Sequence, residues 1–196
     1  MPTDADVIAL MTRWLERAVI GLNLCPFAKS VHVKGQIHYA VSRASSYADL
    51  LEPLEYELNG LLAHESSVRE TTLLIAPAAF PEFLDFHDFL PECDRLLRRM
   101  KLDGVFQIAS FHPQFQFAGT DADDITNYTN RAPYPCLHLL REESIDRAVA
   151  AFPEPDAIFE KNKETLERLG LEGWKALDLE NPDSGAGLDA HGKITP

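Results

Sequence analysis

The stretch Thr71–Ala76 reads TTLLIA, and Pro77 follows it directly. A continuous run of β-branched and aliphatic residues of this length is typical of a strand that is buried on both faces. Strands of this kind belong to sheets that carry helices on both sides. The segments on either side of this run therefore decide the fold class.

Strand and helix patterns alternate outward from this run. Three further β-rich segments, one before it and two after it, are Ile37–Val41, Val105–Phe111 and Cys136–Leu140. Helical patterns separate them, one opened by Ser45 or Ser46 as a cap and one from Phe83 to Met100. This order predicts a single α/β domain with a mostly parallel or mixed sheet of about four strands and helices packed on it. A ferredoxin-like α+β arrangement is the alternative.

Prolines and glycines suggest where the helices are interrupted. Pro53 predicts a kink in its helix or a helix start near Leu51, and Pro91 predicts that its helix divides into two pieces. An amphipathic helix is expected from Asp4 to Leu22, and a later one should end at Gly170. We expect residues 1–172 to form the domain and the polar residues 173–196 to be a mobile tail.

Composition and charge limit the classes of partner. The chain has 196 residues, of which 18 are basic and 31 acidic, so the net charge is −13. A surface this negative disfavours binding to nucleic acid or to an anionic membrane. No apolar run approaches the roughly 20 residues of a membrane-spanning helix. The start of the chain lacks a signal-peptide pattern, and three cysteines without a CxxC pair predict reduced thiols. These features predict a cytoplasmic protein.

The segment from Phe111 to His138 differs from the rest of the chain. A long connection with five aromatic residues and many hydrogen-bonding groups is typical of an ordered, functional loop. It follows a strand expected to be parallel, whose carboxyl end is the usual ligand-binding edge of an α/β sheet. The segment therefore predicts a ligand pocket.

Individual residues suggest roles in that pocket. Arg131 is the single cation between Phe111 and Leu140, and its planar guanidinium suits a carboxylate or a phosphate. His112 is the predicted acid–base catalyst and Cys25 a thiol partner. The predicted ligand-binding asparagines are Asn130, Asn127, Asn23 and Asn162. Asn162 could equally hydrogen-bond a neighbouring loop, because asparagine disfavours a helix interior.

Acidic and thiol groups in the same region suggest, but do not establish, a metal site. The cluster Asp121–Asp124 is better explained as a helix start capped by Thr120 or Asp121. Cys136 and His138 lie two apart on a strand and so share one face, although their spacing diagnoses neither zinc binding nor nucleophilic catalysis. No metal ligand is assigned, and the cofactor is unknown.

Several long phrases resemble a known family. GLNLCPFA (21–28), SFHPQFQFAGT (110–120), NYTNRAPYPCLHLLRE (127–142) and IFEKNKETLERLG (158–170) look like the bacterial family called domain of unknown function 1415. The resemblance covers nearly the whole chain up to about residue 172. It implies a small single-domain cytoplasmic protein and no particular activity.

The leading hypothesis is a small enzyme or ligand-binding protein that acts on a small anionic metabolite. Arg131 and Asn130 would orient the negative group of the ligand. One alternative is a non-catalytic module whose exposed aromatic residues bind a partner or form a homodimer. Another is a metal-assisted hydrolase that uses His112, Cys136 and His138 or the aspartate cluster. Whether the protein is an enzyme, and which reaction it would catalyse, stay open.

Overall fold

The computed structural model describes residues 2–151 and 156–179. Its four strands are β1 (Ile37–Val41), β2 (Thr71–Ile75), β3 (Phe106–Phe111) and β4 (Cys136–Arg141). They form one sheet in the order β1-β2-β4-β3. The α-helices of the described residues are α1 (Asp4–Trp14), α2 (Ala28–Val33), α3 (Tyr47–Ala63), α4 (Phe83–Arg99), α5 (Glu142–Ala151) and α6 (Asp156–Lys175).

The sheet is mixed. β1 and β2 are parallel, whereas β4 is antiparallel to both of its neighbours, β2 and β3. A mixed four-stranded sheet with helices confirms the predicted single-domain α/β class. The parallel pair rules out the ferredoxin-like alternative, whose neighbouring strands are all antiparallel. β3 pairs with β4, and since β4 is antiparallel to both β2 and β3, β3 runs in the same direction as β1 and β2, as was expected of it.

Helices cover both faces of the sheet, and β2 shows this most clearly. Leu74 packs on the side of α3 and α4, whereas Leu73 and Ile75 pack on the side of α1. All five residues of β2 are buried, as its unbroken apolar pattern predicts. Complete burial of one such leucine or isoleucine side chain stabilises the fold by about 1.5–3 kcal/mol.

Both internal prolines lie inside continuous helices. α3 begins at Tyr47, is capped by the Ser46 hydroxyl and passes through Pro53, so a start near Leu51 was wrong. α4 passes through Pro91 without dividing, so the predicted split was also wrong. Each helix lays a stripe of fully buried apolar side chains on the sheet. That packing offsets the roughly 3 kcal/mol that an internal proline costs a helix.

The first and the last described segments of the chain, α1 and residues 174–179, pack together on the α1 side. α1 continues as a π-helical turn, Leu15–Ile20, before the chain turns at Gly21. The Gly170 backbone is not helical, with φ 65° and ψ 174°, so the first part of α6 ends there as predicted and a second helical part follows as far as Lys175. Trp174 and Leu177 pack against the core that α1 forms, so packing continues past residue 172. The predicted tail from residue 180 onward, together with Pro155, lies outside the described residues.

Within residues 2–151 and 156–179, no helix has the length and apolar character needed to cross a membrane.

Candidate functional site

The chain between β3 and β4, residues 112–135, is folded by its own hydrogen bonds. The fully buried amide of Asn127 organises one half of this β3–β4 segment. Its Oδ1 accepts from the Phe117 N–H at 3.0 Å and from the Thr120 hydroxyl at 2.8 Å. Its Nδ2 donates to the Asp121 carbonyl at 2.8 Å. The predicted ligand contact at Asn127 is therefore occupied by the backbone of the segment itself.

Arg131 closes the segment from the other side. Its Nε donates to the Phe115 carbonyl at 3.1 Å, and a terminal guanidinium nitrogen donates to the Ala122 carbonyl at 2.6 Å. The guanidinium lies 4.3 Å from the centre of the Tyr128 ring, within the range of a cation–π interaction. These contacts make Arg131 a clamp on the segment. The anion-binding role predicted for it stays a prediction.

His112 is buried, with 1% of its surface exposed, and both ring nitrogens are used. Nδ1 accepts from the Gln114 N–H at 3.0 Å, so Nε2 carries the proton and donates to the Phe80 carbonyl at 2.8 Å. Burial lowers the pKa of the imidazole, which keeps it neutral. A general base needs a nitrogen that can reach its substrate. In this structure the ring instead holds the backbone of Phe80, a residue in the left-handed region with φ 55°.

The aromatic residues of the β3–β4 segment point inward as anchors. Phe115 packs 5.0 Å from Phe83 of α4, and Tyr128 packs 4.9 Å from Trp174 of α6, measured between ring centroids. Phe117 contacts Phe159 at 5.7 Å. The rings thus attach the segment to two helices. Asn130, also predicted to bind ligand, contributes its carbonyl, which accepts from the His112 N–H at 3.2 Å.

The aspartate cluster starts a helix, although the cap lies three or four residues later than predicted. Asp124, rather than Thr120 or Asp121, caps the 3₁₀-helix Ile125–Thr129 by accepting from the Thr126 N–H at 2.8 Å. These bonds to Thr126 lower the pKa of the Asp124 carboxyl. The Thr126 hydroxyl also donates to the same Asp124 oxygen, at 2.7 Å.

Of the three groups proposed for metal chemistry, Cys136 and His138 lie on one side of the sheet and His112 lies on the other. Cys136 packs on the α1 side, and His138 shares that face. His112 instead contacts Phe86 of α4 on the opposite side. Burial raises the pKa of the Cys136 thiol and lowers that of His138 to about 4. Across the described ranges, no three histidine, cysteine or acidic side chains are grouped as metal ligands.

Two of the predicted binding residues, Asn23 and Asn162, meet in a cleft of about 500 Å³ between the turn that follows α1 and helix α6. The cleft is lined by Leu22, Asn23, Pro26, Ile158, Lys161, Asn162, Glu164, Thr165 and Arg168. Cys25 lies in the turn, partly exposed and packed against the α1 core, between two residues that border this cleft. The structure therefore brings Asn23, Asn162 and the neighbourhood of Cys25 together, apart from the Asn127 and Arg131 clamps.

The shape of the cleft depends on the same two asparagines. Asn23 has a φ of 55°, a left-handed conformation that asparagine tolerates better than most residues. The buried Asn162 donates through Nδ2 to the Leu24 carbonyl at 2.9 Å. This contact is the hydrogen bond to a neighbouring loop that was one of the two predictions for Asn162. It fixes the distance between the turn and α6.

Two cations of the cleft, Lys161 and Arg168, were not singled out from the sequence. They lie seven residues apart on α6, which is two helical turns, and so share the side that carries Asn162. This spacing was the available signal. Charged residues at helical spacing usually cover a solvated face, so the spacing alone does not identify a site.

A buried ion pair lies elsewhere, between α3 and the start of β2. A terminal guanidinium nitrogen of Arg69 contacts the Glu57 carboxylate at 2.5 Å, and its Nε donates to the Thr72 hydroxyl at 2.9 Å. Gly60 permits this approach, since a Cβ there would lie 2.7 Å from the guanidinium. The His38 Nε2 lies 3.4 Å from Glu57. Burial, followed by the charge of Arg69, lowers the His38 pKa.

The fold and its clefts define a small α/β protein with a mixed, helix-covered sheet and a polar cleft at its terminal helix. A sequence model of the family described as "Protein of unknown function (DUF1415)" matches residues 6–176. The chain belongs to this family, as the phrases quoted from its sequence predicted. Searches of the curated proteins and of the solved structures found no match. The family description assigns no activity, so the function must be argued from the clefts.

Proposed function

We propose that the protein binds a small anionic metabolite in the cleft between the 22–26 turn and α6. The observation that carries this proposal is the lining of the cleft, where the exposed guanidinium of Arg168 lies with the exposed amide of Asn23. Glu164 is the one acidic residue of that lining. The lining thus holds two cations and one carboxylate, in a chain with a net charge of −13.

The chemistry of the lining favours a carboxylate or a phosphate. The guanidinium of Arg168 is exposed and can offer two parallel N–H donors to a planar anion. Asn23 is exposed in the turn, and Thr165 provides a hydroxyl. Ile158 and Leu22 supply apolar surface for the remainder of a ligand. A few polar groups set among apolar ones are typical of a small-molecule site.

The cleft differs from the pocket first expected beneath residues 111–138. In the proposal, Asn127, Asn130 and Arg131 give the β3–β4 segment its shape, and Tyr128 of that segment supports α6 through Trp174. The segment thus helps to hold one wall of the cleft. The catalytic roles of His112 and Cys25 stay predictions, and the proposal concerns binding rather than a reaction.

The proposal is tested by anion titrations of wild type and of two variants. Inorganic phosphate, citrate and a panel of mono- and dicarboxylates serve as probes, with amide chemical shifts measured by NMR. Loss of one charge-assisted contact costs about 1.5–3 kcal/mol, so Arg168→Gln should weaken binding roughly 10- to 100-fold.

Arg147→Gln is the matched control, because this exposed arginine pairs with Glu143 on α5, away from the cleft. It should leave the affinity unchanged. Equal anion affinity in wild type and Arg168→Gln would contradict the proposal. Shifts centred on Arg131 instead of residues 22–26 would return the site to the β3–β4 segment.

A further inference from the structure

β1 is an open edge of the sheet. The Gln36 carbonyl accepts from Glu70 at 2.9 Å, and the Ser42 N–H donates to Ile75 at 2.8 Å, so these groups face β2. Because backbone groups alternate in direction along a strand, those of residues 37, 39 and 41 point away from β2. Within the part of the chain that the structure describes, no backbone group pairs with them.

The sequence of this edge does not protect it. Natural edge strands commonly carry lysine, proline or a bulge that prevents a further strand from pairing. β1 reads IHYAV and contains neither lysine nor proline, and its register with β2 is continuous from Ile37 to Val41. An unprotected edge of five residues is long enough for a short extended peptide.

A groove of about 590 Å³ runs beside this edge, between β1 and α3. Ala40 lies on its strand side, where a methyl group leaves space on the face that α3 covers. Its helix side includes Asp49, Glu52, Pro53 and Tyr56, which recur at three- and four-residue steps along α3. Tyr56 is 74% exposed. The groove is thus open where side chains of an added strand would lie.

We propose that the β1 edge and this groove together bind an extended basic peptide of a partner protein, which adds to the sheet as a fifth strand. Backbone hydrogen bonds to residues 37, 39 and 41 would hold the peptide. Alternate side chains would enter the groove toward α3. The proposed surface is separate from the anion cleft and does not depend on it.

Charge determines the choice of a basic partner. Asp49 and Glu52 are exposed carboxylates in the groove, whereas its one cation, Arg43, is already paired with Asp4. Glu57, at the end of the groove, is paired with Arg69. The uncompensated charge is therefore negative, and the net charge of −13 steers cations toward it. A second copy of the chain would bring the same negative charge and be repelled.

The test uses the full chain and a fluorescein-labelled heptapeptide that alternates lysine and valine. Fluorescence anisotropy at low salt should show binding, and the analogue with glutamate in place of lysine should bind at least about tenfold more weakly. Methylation of the backbone nitrogens that face β1 should also weaken binding about tenfold, because it removes N–H donors. In NMR spectra, the amides of Ile37, Tyr39 and Val41 should shift.

A pair of double variants separates the groove from the overall charge. Asp49→Asn with Glu52→Gln should weaken binding of the lysine peptide about tenfold. Asp146→Asn with Glu167→Gln changes the net charge equally at exposed sites on α5 and α6, and should leave the affinity within about twofold.

Three results would overturn the proposal. The first is equal affinity for the lysine and glutamate peptides, and the second is binding that backbone methylation does not change. The third is a dimer of the free protein in sedimentation experiments with the β1 amides protected from hydrogen exchange, since a second copy would then occupy the edge.

Discussion

Replacement of Arg69 by methionine should destabilise the protein strongly. The side chains of Arg69 and Glu57 are 10% and 9% exposed, so Arg69→Met leaves a buried carboxylate without its guanidinium partner. Breaking such a pair costs about 3–5 kcal/mol, because the remaining charge stays desolvated. The buried Thr72 hydroxyl also loses the hydrogen bond that the Arg69 Nε donates to it.

Urea unfolding followed by tryptophan fluorescence measures this loss directly. A free-energy loss of 3–5 kcal/mol corresponds to a fall in Tm of about 6–20 °C for a domain of this size. Arg95→Met is the matched control, since Arg95 forms an exposed pair with Glu92 on α4. Removal of that pair should cost less than about 1 kcal/mol.

The double variant Glu57→Met with Arg69→Met identifies the cause of the loss. Without either charge, no charged group is left buried and unpaired, and stability should recover to within about 1–2 kcal/mol of wild type. The reasoning is refuted if Arg69→Met costs no more than Arg95→Met. It is also refuted if the double variant is less stable than both single variants.

Three further predictions concern single residues. Asn127→Ala removes three hydrogen bonds from the β3–β4 segment and should cost about 2–4 kcal/mol in urea unfolding, with faster amide exchange at Phe117. The pKa of His138 falls to about 4 on folding, so as the pH is lowered the unfolded chain binds the proton before the folded chain does. The free energy of unfolding should therefore drop by about 2–3 kcal/mol between pH 6.5 and 4. His138→Gln should flatten that part of the curve of stability against pH. Lys101 adopts the left-handed conformation, with φ 58°, just beyond α4, so Lys101→Gly should raise the free energy of unfolding by up to about 1 kcal/mol. A variant less stable than wild type would contradict the reasoning that a side chain is strained at this φ.

The strands could be located from the sequence because their signal is local. Thr71–Ile75 and Cys136–Arg141 are short runs with strong β-preference, and their residues alone indicate extended structure. The effect of a proline is not local in this sense. Pro53 and Pro91 disfavour a helix by their intrinsic propensity. Buried apolar residues on the same helices nevertheless keep both segments helical.

The candidate site was harder to predict, for a related reason. Polar groups were dense in residues 111–138, but a long loop also needs partners for its own backbone, and Asn127 and Arg131 supply them. The sequence could not distinguish these two uses. Conversely, Lys161 and Arg168 resemble ordinary surface residues of a helix. Lys161 and Arg168 become candidates for a site only because the folded chain places the turn at Asn23 beside them.

The position of β4 between β2 and β3 has a consequence for synthesis. β3 leaves the ribosome with no strand to join, because its one partner in the sheet, β4, begins only at Cys136. A nascent chain that stops before this point holds a two-stranded sheet, a form that is at best marginally stable. The last strand must then insert between two others and close residues 112–135 as a loop. The sheet is therefore completed only after residues 112–135 and β4 have been made. Until then, the newly made chain depends on its helices to stay compact.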